Sequence, residues 1–176
     1  MKKLGEMMSK PLNWSQPSVF QKLYELAADD EVAATLEFRS MFGSFATARS
    51  GDGCWTFKRM GFFITRVTIC ECGGEKEVGV FRNSMWSGGG GLELEDGRRY
   101  LATTNVWSSK LEFQTDSNTS LFVLKSRGVI HQGAELTIER EALKIPEMPW
   151  MILLGFYLVV MMRQDGGGAA AAAAAG

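Results

Sequence analysis

Short stretches of alternating apolar and polar residues fill the chain from Val19 to about residue 140. Turn residues interrupt them roughly every ten positions, a spacing typical of β-sandwiches and β-barrels. In the clearest example, Leu92-Glu93-Leu94-Glu95 leads into Asp96-Gly97, the dipeptide favoured in the type I′ turn of a hairpin. Because neighbouring side chains of a strand point to opposite faces, each stretch predicts one strand. The pattern predicts about eleven strands in this part of the chain.

Residues 148–162 depart from this pattern because they contain no charged side chain. Pro149 suits the first turn of a helix, Arg163 suits its last turn, and Gly166 is a suitable stop. We therefore predict a hydrophobic helix over about residues 149–163. A helix that is apolar on every side must be surrounded by lipid or by protein.

The length of the apolar segment favours burial in protein. Fifteen residues at ~1.5 Å each span roughly 22 Å, against about 30 Å for the hydrocarbon core of a bilayer. Many short strands with one apolar face could close around such a helix. The predicted fold is mainly β, a closed antiparallel barrel that encloses a hydrophobic C-terminal helix. A short C-terminal membrane anchor over residues 148–162 is the alternative.

The pattern also divides the chain into three parts. Residues 1–17 show no sustained period and carry two prolines, so we expect a flexible N-terminal arm. Residues 18–165 are expected to form the single barrel domain with its helix. Residues 166–176 contain only glycine and alanine and form a low-complexity tail.

Composition restricts the classes of partner and the compartment. The formal net charge of −1 argues against a broad nucleic-acid surface, which needs a basic excess. Cys54, Cys70 and Cys72 make an odd and sparse set, whereas disulfide frameworks are denser and even-numbered. We therefore expect ordinary unpaired cysteines and a reducing, cytoplasmic location.

Catalytic and metal-binding patterns are weak. The single histidine, His131, has no cysteine placed beside it as a nucleophile, and Cys70-Glu71-Cys72 supplies only two of the four ligands of a zinc site. The glycine run at 88–91 precedes a strand rather than a helix, so a turn or bulge is expected instead of a phosphate loop. We predict no catalytic, cofactor-binding or metal-binding residues and no enzyme; a small hydrolase is a less favoured alternative.

Several segments, taken in order, resemble the tubby C-terminal-like superfamily, which includes phospholipid scramblases, LURP-one-related proteins and many small bacterial proteins. The resemblance covers roughly residues 20–165 and no single motif is diagnostic. It is carried by Cys54-Trp55-Thr56-Phe57-Lys58-Arg59-Met60-Gly61-Phe62, the segment from Trp86 to Leu94, Asp96-Gly97-Arg98-Arg99-Tyr100, Thr104-Asn105-Val106-Trp107, and the stretch from Leu143 through Pro149-Trp150 to Arg163-Gln164-Asp165.

The resemblance implies a twelve-stranded barrel around the helix. Tubby domains are associated with phosphoinositide binding through basic residues, and scramblases with calcium-dependent lipid movement. Neither set of residues maps onto this chain, where only Glu147 and Asp165 flank the apolar helix, so a calcium or scrambling role is not implied.

The implied function is a non-catalytic binding module that recognises an anionic phospholipid or a protein partner, peripherally at a membrane. The basic residues expected to contact an anionic ligand are Lys58, Arg59, Arg66, Arg98 and Arg99. A solvated charged face is the alternative interpretation of these residues.

Overall fold

The chain forms a closed barrel of twelve strands around a C-terminal helix in a computed structural model. The structure describes residues 1–61, 65–84, 89–105, 109–128 and 132–174. Phe62, Trp86, Trp107 and His131, which the sequence analysis singled out, lie outside these residues.

Each strand pairs antiparallel with its sequence neighbours, and the last strand returns to pair with the first. This up-and-down order leaves no open sheet edge. The strands are β1 (Leu12–Ser15), β2 (Leu23–Ala28), β3 (Glu31–Phe38), β4 (Ala46–Ser50), β5 (Gly53–Met60), β6 (Arg66–Glu71), β7 (Glu77–Ser84), β8 (Gly89–Leu94), β9 (Arg99–Thr104), β10 (Lys110–Thr115), β11 (Ser120–Arg127) and β12 (Gly133–Ile138). The helices are α1 (Leu4–Met7), a 3₁₀ helix (Arg140–Lys144) and α2 (Met148–Ala174).

The hydrophobic helix α2 occupies the interior of the barrel. Every residue from Trp150 to Met161 is buried. The Trp14 ring of β1 stacks on Phe156 at 4.3 Å between centroids, and Phe38 of β3 stacks on Tyr157 at 5.5 Å. On another part of the wall, Phe122 and Leu124 of β11 lie against Gly155 of α2. These contacts confirm the predicted fold class, in which the strands and the helix bury each other's apolar faces.

The apolar segment at 148–162 therefore packs against the strands of the barrel. No helix in the described ranges is both long enough and apolar enough to cross a membrane.

The barrel begins at Leu12 and not at residue 18 as expected. The eleven strands expected between residues 19 and 140 are β2–β12, and β1 is the twelfth, hidden in the supposed arm. Leu4 and Leu12 are fully buried, and the Leu4 amide donates to the Asp52 carboxylate at 2.6 Å. The N-terminal segment is therefore part of the folded domain, because it closes the barrel and covers one end.

The hairpin at Asp96-Gly97 is confirmed, but its turn type is not the expected one. Gly97 has φ +87°, whereas Asp96 lacks the positive φ that a type I′ turn requires. The Gly97 amide donates to the Leu94 carbonyl at 3.0 Å, and the Leu94 amide donates to the Arg98 carbonyl at 2.9 Å. This is a three-residue connection that ends on a left-handed glycine.

Two further boundaries differ from expectation. The glycines from Gly89 to Gly91 belong to strand β8 and not to a turn; a Cβ atom on Gly90 would lie 2.4 Å from the Phe81 ring, so this strand requires glycine for close packing. Helix α2 continues past Gly166 to Ala174, because the alanines that follow are the strongest helix formers.

Candidate functional site

The two ends of the barrel differ in what surrounds α2. We call the end where α2 leaves the barrel the helix-exit end; it comprises residues 16–22, 39–45 and 163–166 with the adjoining strand residues. The opposite, helix-entry end comprises residues 1–11, 95–98 and 139–147 with the adjoining strand residues.

The five basic residues predicted to contact an anionic ligand do not converge. Arg59 lies at the helix-exit end, where its guanidinium is 2.6 Å from the Asp165 carboxylate. Arg98 lies at the helix-entry end and donates to Asp96 at 2.7 Å and to both carboxylate oxygens of Glu147. Arg59 and Arg98 therefore lie at opposite ends of the barrel.

The other three predicted residues lie on the outer wall. Lys58 and Arg66 share one face of the neighbouring strands β5 and β6 at a diagonal, because Met60 is directly opposite Arg66 and lies two residues from Lys58. Arg66 is paired with Glu77 at 2.9 Å. Arg99 is on β9, opposite Glu93. The structure thus brings Lys58, Arg59 and Arg66 into one half of the barrel and leaves Arg98 and Arg99 in the other.

A recess of about 440 Å³ at the helix-entry end is unsuited to an anion. Four carboxylates line it beside Arg98, and Trp150 and Leu94 supply apolar surface. The Glu147 carboxylate raises the pKa of Arg98, with a smaller contribution from Asp96. Arg98 is therefore committed to internal ion pairs, and an incoming anion would meet excess negative charge.

The charges of the whole chain are separated along the barrel axis. When each strand is divided at its midpoint, the helix-exit half holds ten basic and five acidic side chains, and the helix-entry half holds nine basic and fifteen acidic ones. The near-neutral chain therefore has one half with a formal charge of +5 and another with −6. The basic residues of the helix-exit half are Lys22, Arg39, Lys58, Arg59, Arg66, Arg82, Lys110, Lys125, Arg127 and Arg163; the acidic ones are Glu25, Glu37, Glu112, Glu135 and Asp165.

Large apolar side chains are exposed at the same positive end. Phe20 and Phe42 are 89% and 91% exposed, and Met41 and Met60 are also exposed. Phe20 precedes β2, Met41 and Phe42 lie between β3 and β4, and Met60 ends β5. The helix-exit end thus combines positive charge with exposed apolar surface.

Residues of α2 hold the loops of this end in place. The Gln164 side chain donates to the Phe42 carbonyl at 2.9 Å and accepts from Lys22 Nζ at 2.6 Å. Tyr157 donates its hydroxyl proton to the Ser44 carbonyl at 2.6 Å. Residues of α2 at the point where it leaves the barrel therefore connect both loops to the core.

Two basic side chains at the helix-exit end, Lys22 and Arg163, are partly buried, and burial shifts their pKa values. Burial, with a smaller contribution from Arg59, lowers the pKa of Lys22. The Lys22 ammonium also lies 4.3 Å from the centroid of the Phe38 ring, so the ring face offsets part of the cost of burial. Burial lowers the pKa of Arg163 as well.

The basic residues predicted from the sequence do not include Lys22 or Arg39, and the predicted site includes neither Phe20 nor Phe42. A usable signal was present, because Met41-Phe42-Gly43-Ser44 places two large apolar residues in a turn between strands. Turns normally carry polar residues. Large apolar residues at such a position indicate a contact surface.

The expectation of unpaired cysteines is wrong for two of the three. Cys54 and Cys72 form a disulfide, with 5.3 Å between their Cα atoms, and the Cys72 amide donates to the Cys54 carbonyl. Cys70 is free and half-exposed. Disulfides persist mainly in oxidising compartments, so the cysteine count no longer supports a reducing one.

The part of the chain seen in the structure contains no group of three or more His, Cys, Asp or Glu residues that could hold a metal ion. The fold, the filled interior and the separation of charge along the barrel axis define the class of protein. It is a closed up-and-down barrel built around its own C-terminal helix, and its helix-exit end carries both basic residues and exposed apolar side chains. Comparison with protein families, curated proteins and solved structures found no match to this chain.

Proposed function

We propose that this protein is a non-catalytic binding module that attaches peripherally to anionic lipid surfaces through its helix-exit end. The separation of charge along the barrel axis carries this proposal. A half with a formal charge of +5 is attracted to anionic headgroups, while the acidic half is repelled and faces away. Each Lys or Arg near such a surface contributes ~1 kcal/mol.

The filled interior supports a binding role on the outside of the barrel. Enzymes and carriers enclose most of a small ligand in a cavity, whereas α2 occupies the space that a lumen would offer. A ligand must therefore meet the ends or the outer wall. A hydrolase would also need a base placed near a nucleophile, and the single histidine, His131, has no cysteine beside it in the sequence.

The same architecture supports membership of the tubby-like superfamily as part of the proposal. Twelve strands around a hydrophobic terminal helix are the plan that the resemblance implies, and lipid headgroups are the ligand class it suggests. A protein partner with an acidic surface would be attracted to the same positive half of the barrel, and vesicle co-sedimentation distinguishes it from lipid.

The proposal predicts that the position of the basic residues matters more than the total charge. Arg39, Lys58 and Lys125 are exposed residues of the helix-exit half, and no acidic side chain in the described ranges forms an ion pair with them. The variant R39Q/K58Q/K125Q should bind vesicles of phosphatidylcholine and phosphatidylserine about 100-fold more weakly at low salt, at ~1 kcal/mol for each charge. Co-sedimentation measures the partition coefficient.

The matched control removes the same charge from the opposite half. Lys3, Arg49 and Arg99 are also exposed and form no ion pair with a described residue. The variant K3Q/R49Q/R99Q should bind as the wild type does. Equal weakening of both variants would show that only net charge matters. A wild-type protein that binds neither kind of vesicle would refute lipid attachment and favour an acidic protein partner. One that binds anionic and neutral vesicles alike would refute attachment through the positive charge of the helix-exit half.

A further inference from the structure

We infer that Phe20 and Phe42 form an insertion surface that enters the outer layer of an anionic bilayer when the helix-exit end meets it. This inference rests on the proposed function and adds the orientation of the protein and the part that penetrates the lipid. It commits to a lipid bilayer as the occupant of this surface.

The first support is the exposure of two large aromatic side chains. Phe20 and Phe42 are 89% and 91% exposed, although the protein has ample buried space for phenylalanine elsewhere. Among the residues that the structure describes, the buried phenylalanines are Phe38, Phe57, Phe81, Phe113, Phe122 and Phe156. Exposed aromatic surface of this extent is unfavourable in water, and its concentration at one end indicates a contact surface.

The second support is the way in which the backbone of both loops is held. The Phe42 carbonyl accepts a hydrogen bond from Gln164 at 2.9 Å. The Phe20 amide donates to the Ser18 hydroxyl at 3.3 Å, and the Gln16 side chain donates to the carbonyl of Gln21. The bond from Gln164 ties the Phe42 loop to α2, and hydrogen bonds within residues 16–21 brace the Phe20 loop. Insertion therefore orders few additional groups, which lowers the entropic cost of binding.

The third support is the charge next to each phenylalanine. Lys22 and Arg39 line a recess of about 280 Å³ together with Phe38 and Met41, and Glu37 is the acidic residue beside them. Aromatic side chains that enter the acyl boundary beside cations that remain among the headgroups are the arrangement of interfacial membrane proteins.

The charges also favour a bilayer over a second copy of the chain. A symmetric dimer through the helix-exit end would place two halves of +5 against each other, because a two-fold interface uses the same patch on both partners. Such like-charge contacts are unfavourable. An anionic bilayer satisfies both the positive charge and the apolar side chains.

The test compares the double variant F20S/F42S with L143S. Leu143 is 53% exposed on the 3₁₀ helix at the helix-entry end, so L143S removes exposed apolar surface that does not face the membrane. We expect F20S/F42S to bind phosphatidylcholine–phosphatidylserine vesicles about 100-fold more weakly, at about tenfold for each side chain. L143S should bind as the wild type does. All three proteins should keep the same thermal midpoint, since the changed side chains are exposed.

Depth is measured directly with a tryptophan reporter. The variant F42W should lose more fluorescence than the wild type in vesicles with brominated acyl chains, and L143W should not. Salt-sensitive binding that is the same in F20S/F42S and wild type, with no extra quenching of F42W, would overturn insertion while leaving the proposed function intact. A wild-type protein that does not bind anionic vesicles at all would refute the proposed function instead. A wild-type dimer that F20S/F42S converts to monomer in light scattering would assign the surface to a second copy and overturn the inference.

Discussion

At the scale of single residues, two buried tyrosines connect the hydrophobic interior to the helix-exit end. Tyr157 is fully buried on α2 and donates to the Ser44 carbonyl, and Tyr24 on β2 donates to the Gln132 side chain at 3.1 Å. Burial raises the pKa of Tyr24 to about 12 and raises that of Tyr157 as well. Both residues therefore stay neutral in the folded protein well into the alkaline range.

These raised pKa values predict a loss of stability at high pH. In the unfolded chain a tyrosine ionises near pH 10, so above that pH ionisation lowers the free energy of the unfolded state while the folded state stays neutral. The tyrosine contribution is fully present below pH 10 and is lost as the pH rises towards 12. Urea unfolding of the wild type should show this decline.

The variant Y157F isolates one of the two groups. At neutral pH it should lose about 1 kcal/mol with the hydrogen bond to Ser44, yet its stability should decline less steeply above pH 10. A decline as steep as that of the wild type would show that Tyr157 does not contribute to the alkaline loss.

Side-chain partners were the least predictable feature at this scale. Cys54 and Cys72 are 18 residues apart in the sequence and meet only because β5 and β6 adopt one register. Arg59 and Asp165 are also far apart in the sequence and pair because α2 leaves the barrel beside the end of β5. Residue types indicated which groups carry charge or sulfur, but the pairs depend on strand register and on where α2 leaves the barrel.

At the scale of elements, helix α2 is shaped to fit the strands around it. Gly155 lies in its buried part, and a Cβ atom there would be 2.9 Å from the Phe122 ring and 3.0 Å from Leu124. The helix therefore approaches β11 more closely than any residue with a side chain would permit. Glycine is unfavourable inside a helix by ~1 kcal/mol, so close packing explains its presence here.

A larger residue at this position should destabilise the protein. We expect Gly155→Leu to reduce the free energy of unfolding by about 3 kcal/mol, because the core cannot accommodate the added atoms. The control is Gly166→Leu, since nothing lies within 4 Å of a Cβ atom there; its stability should stay within about 1 kcal/mol of the wild type. Denaturant melts measure both, and equal effects would contradict tight packing at Gly155.

Element prediction succeeded where the pattern was local. Alternation identified β2–β12, and the missing charge in residues 148–162 identified α2. Strand β1 was not predicted because Leu12–Ser15 is only four residues long, which is too short for alternation to be recognised. It also lies between two prolines, Pro11 and Pro17. The type I′ turn predicted at Asp96-Gly97 was also wrong, because the register of β8 and β9 leaves three residues in the connection.

At the scale of the whole molecule, the helix and the barrel depend on each other. Trp14, Phe38 and Phe122 point into the lumen and pack on α2, and without the helix their apolar surface would face water. Burial of each large apolar side chain contributes roughly 1.5–3 kcal/mol, and folded domains are stable by only about 5–15 kcal/mol in total.

Deletion of residues 145–176 should therefore abolish cooperative folding. Circular dichroism should show no thermal transition for this variant. A chain that ends at Gly166 is the control and should unfold near the wild-type temperature, since no residue of α2 beyond Met161 whose burial is described, through Gly166, is buried. A cooperative transition in the longer deletion would contradict the interdependence of helix and barrel.

The sequence by itself determined the class of fold and the burial of the terminal helix. Both follow from local periodicity and from the absence of charge in one segment, which physical chemistry converts directly into strands and a buried helix. It left the position of the candidate site undetermined, and the five basic residues singled out from it lie in two halves of the barrel.

Only the tertiary structure decided that position. Because β2 and β3 pair antiparallel, the loops before β2 and after β3 bring Phe20, Lys22, Arg39 and Phe42 to one end, where Gln164 of α2 contacts both loops. The net charge of −1 concealed a separation of +5 from −6, because a sum along the chain contains no information about distances in space.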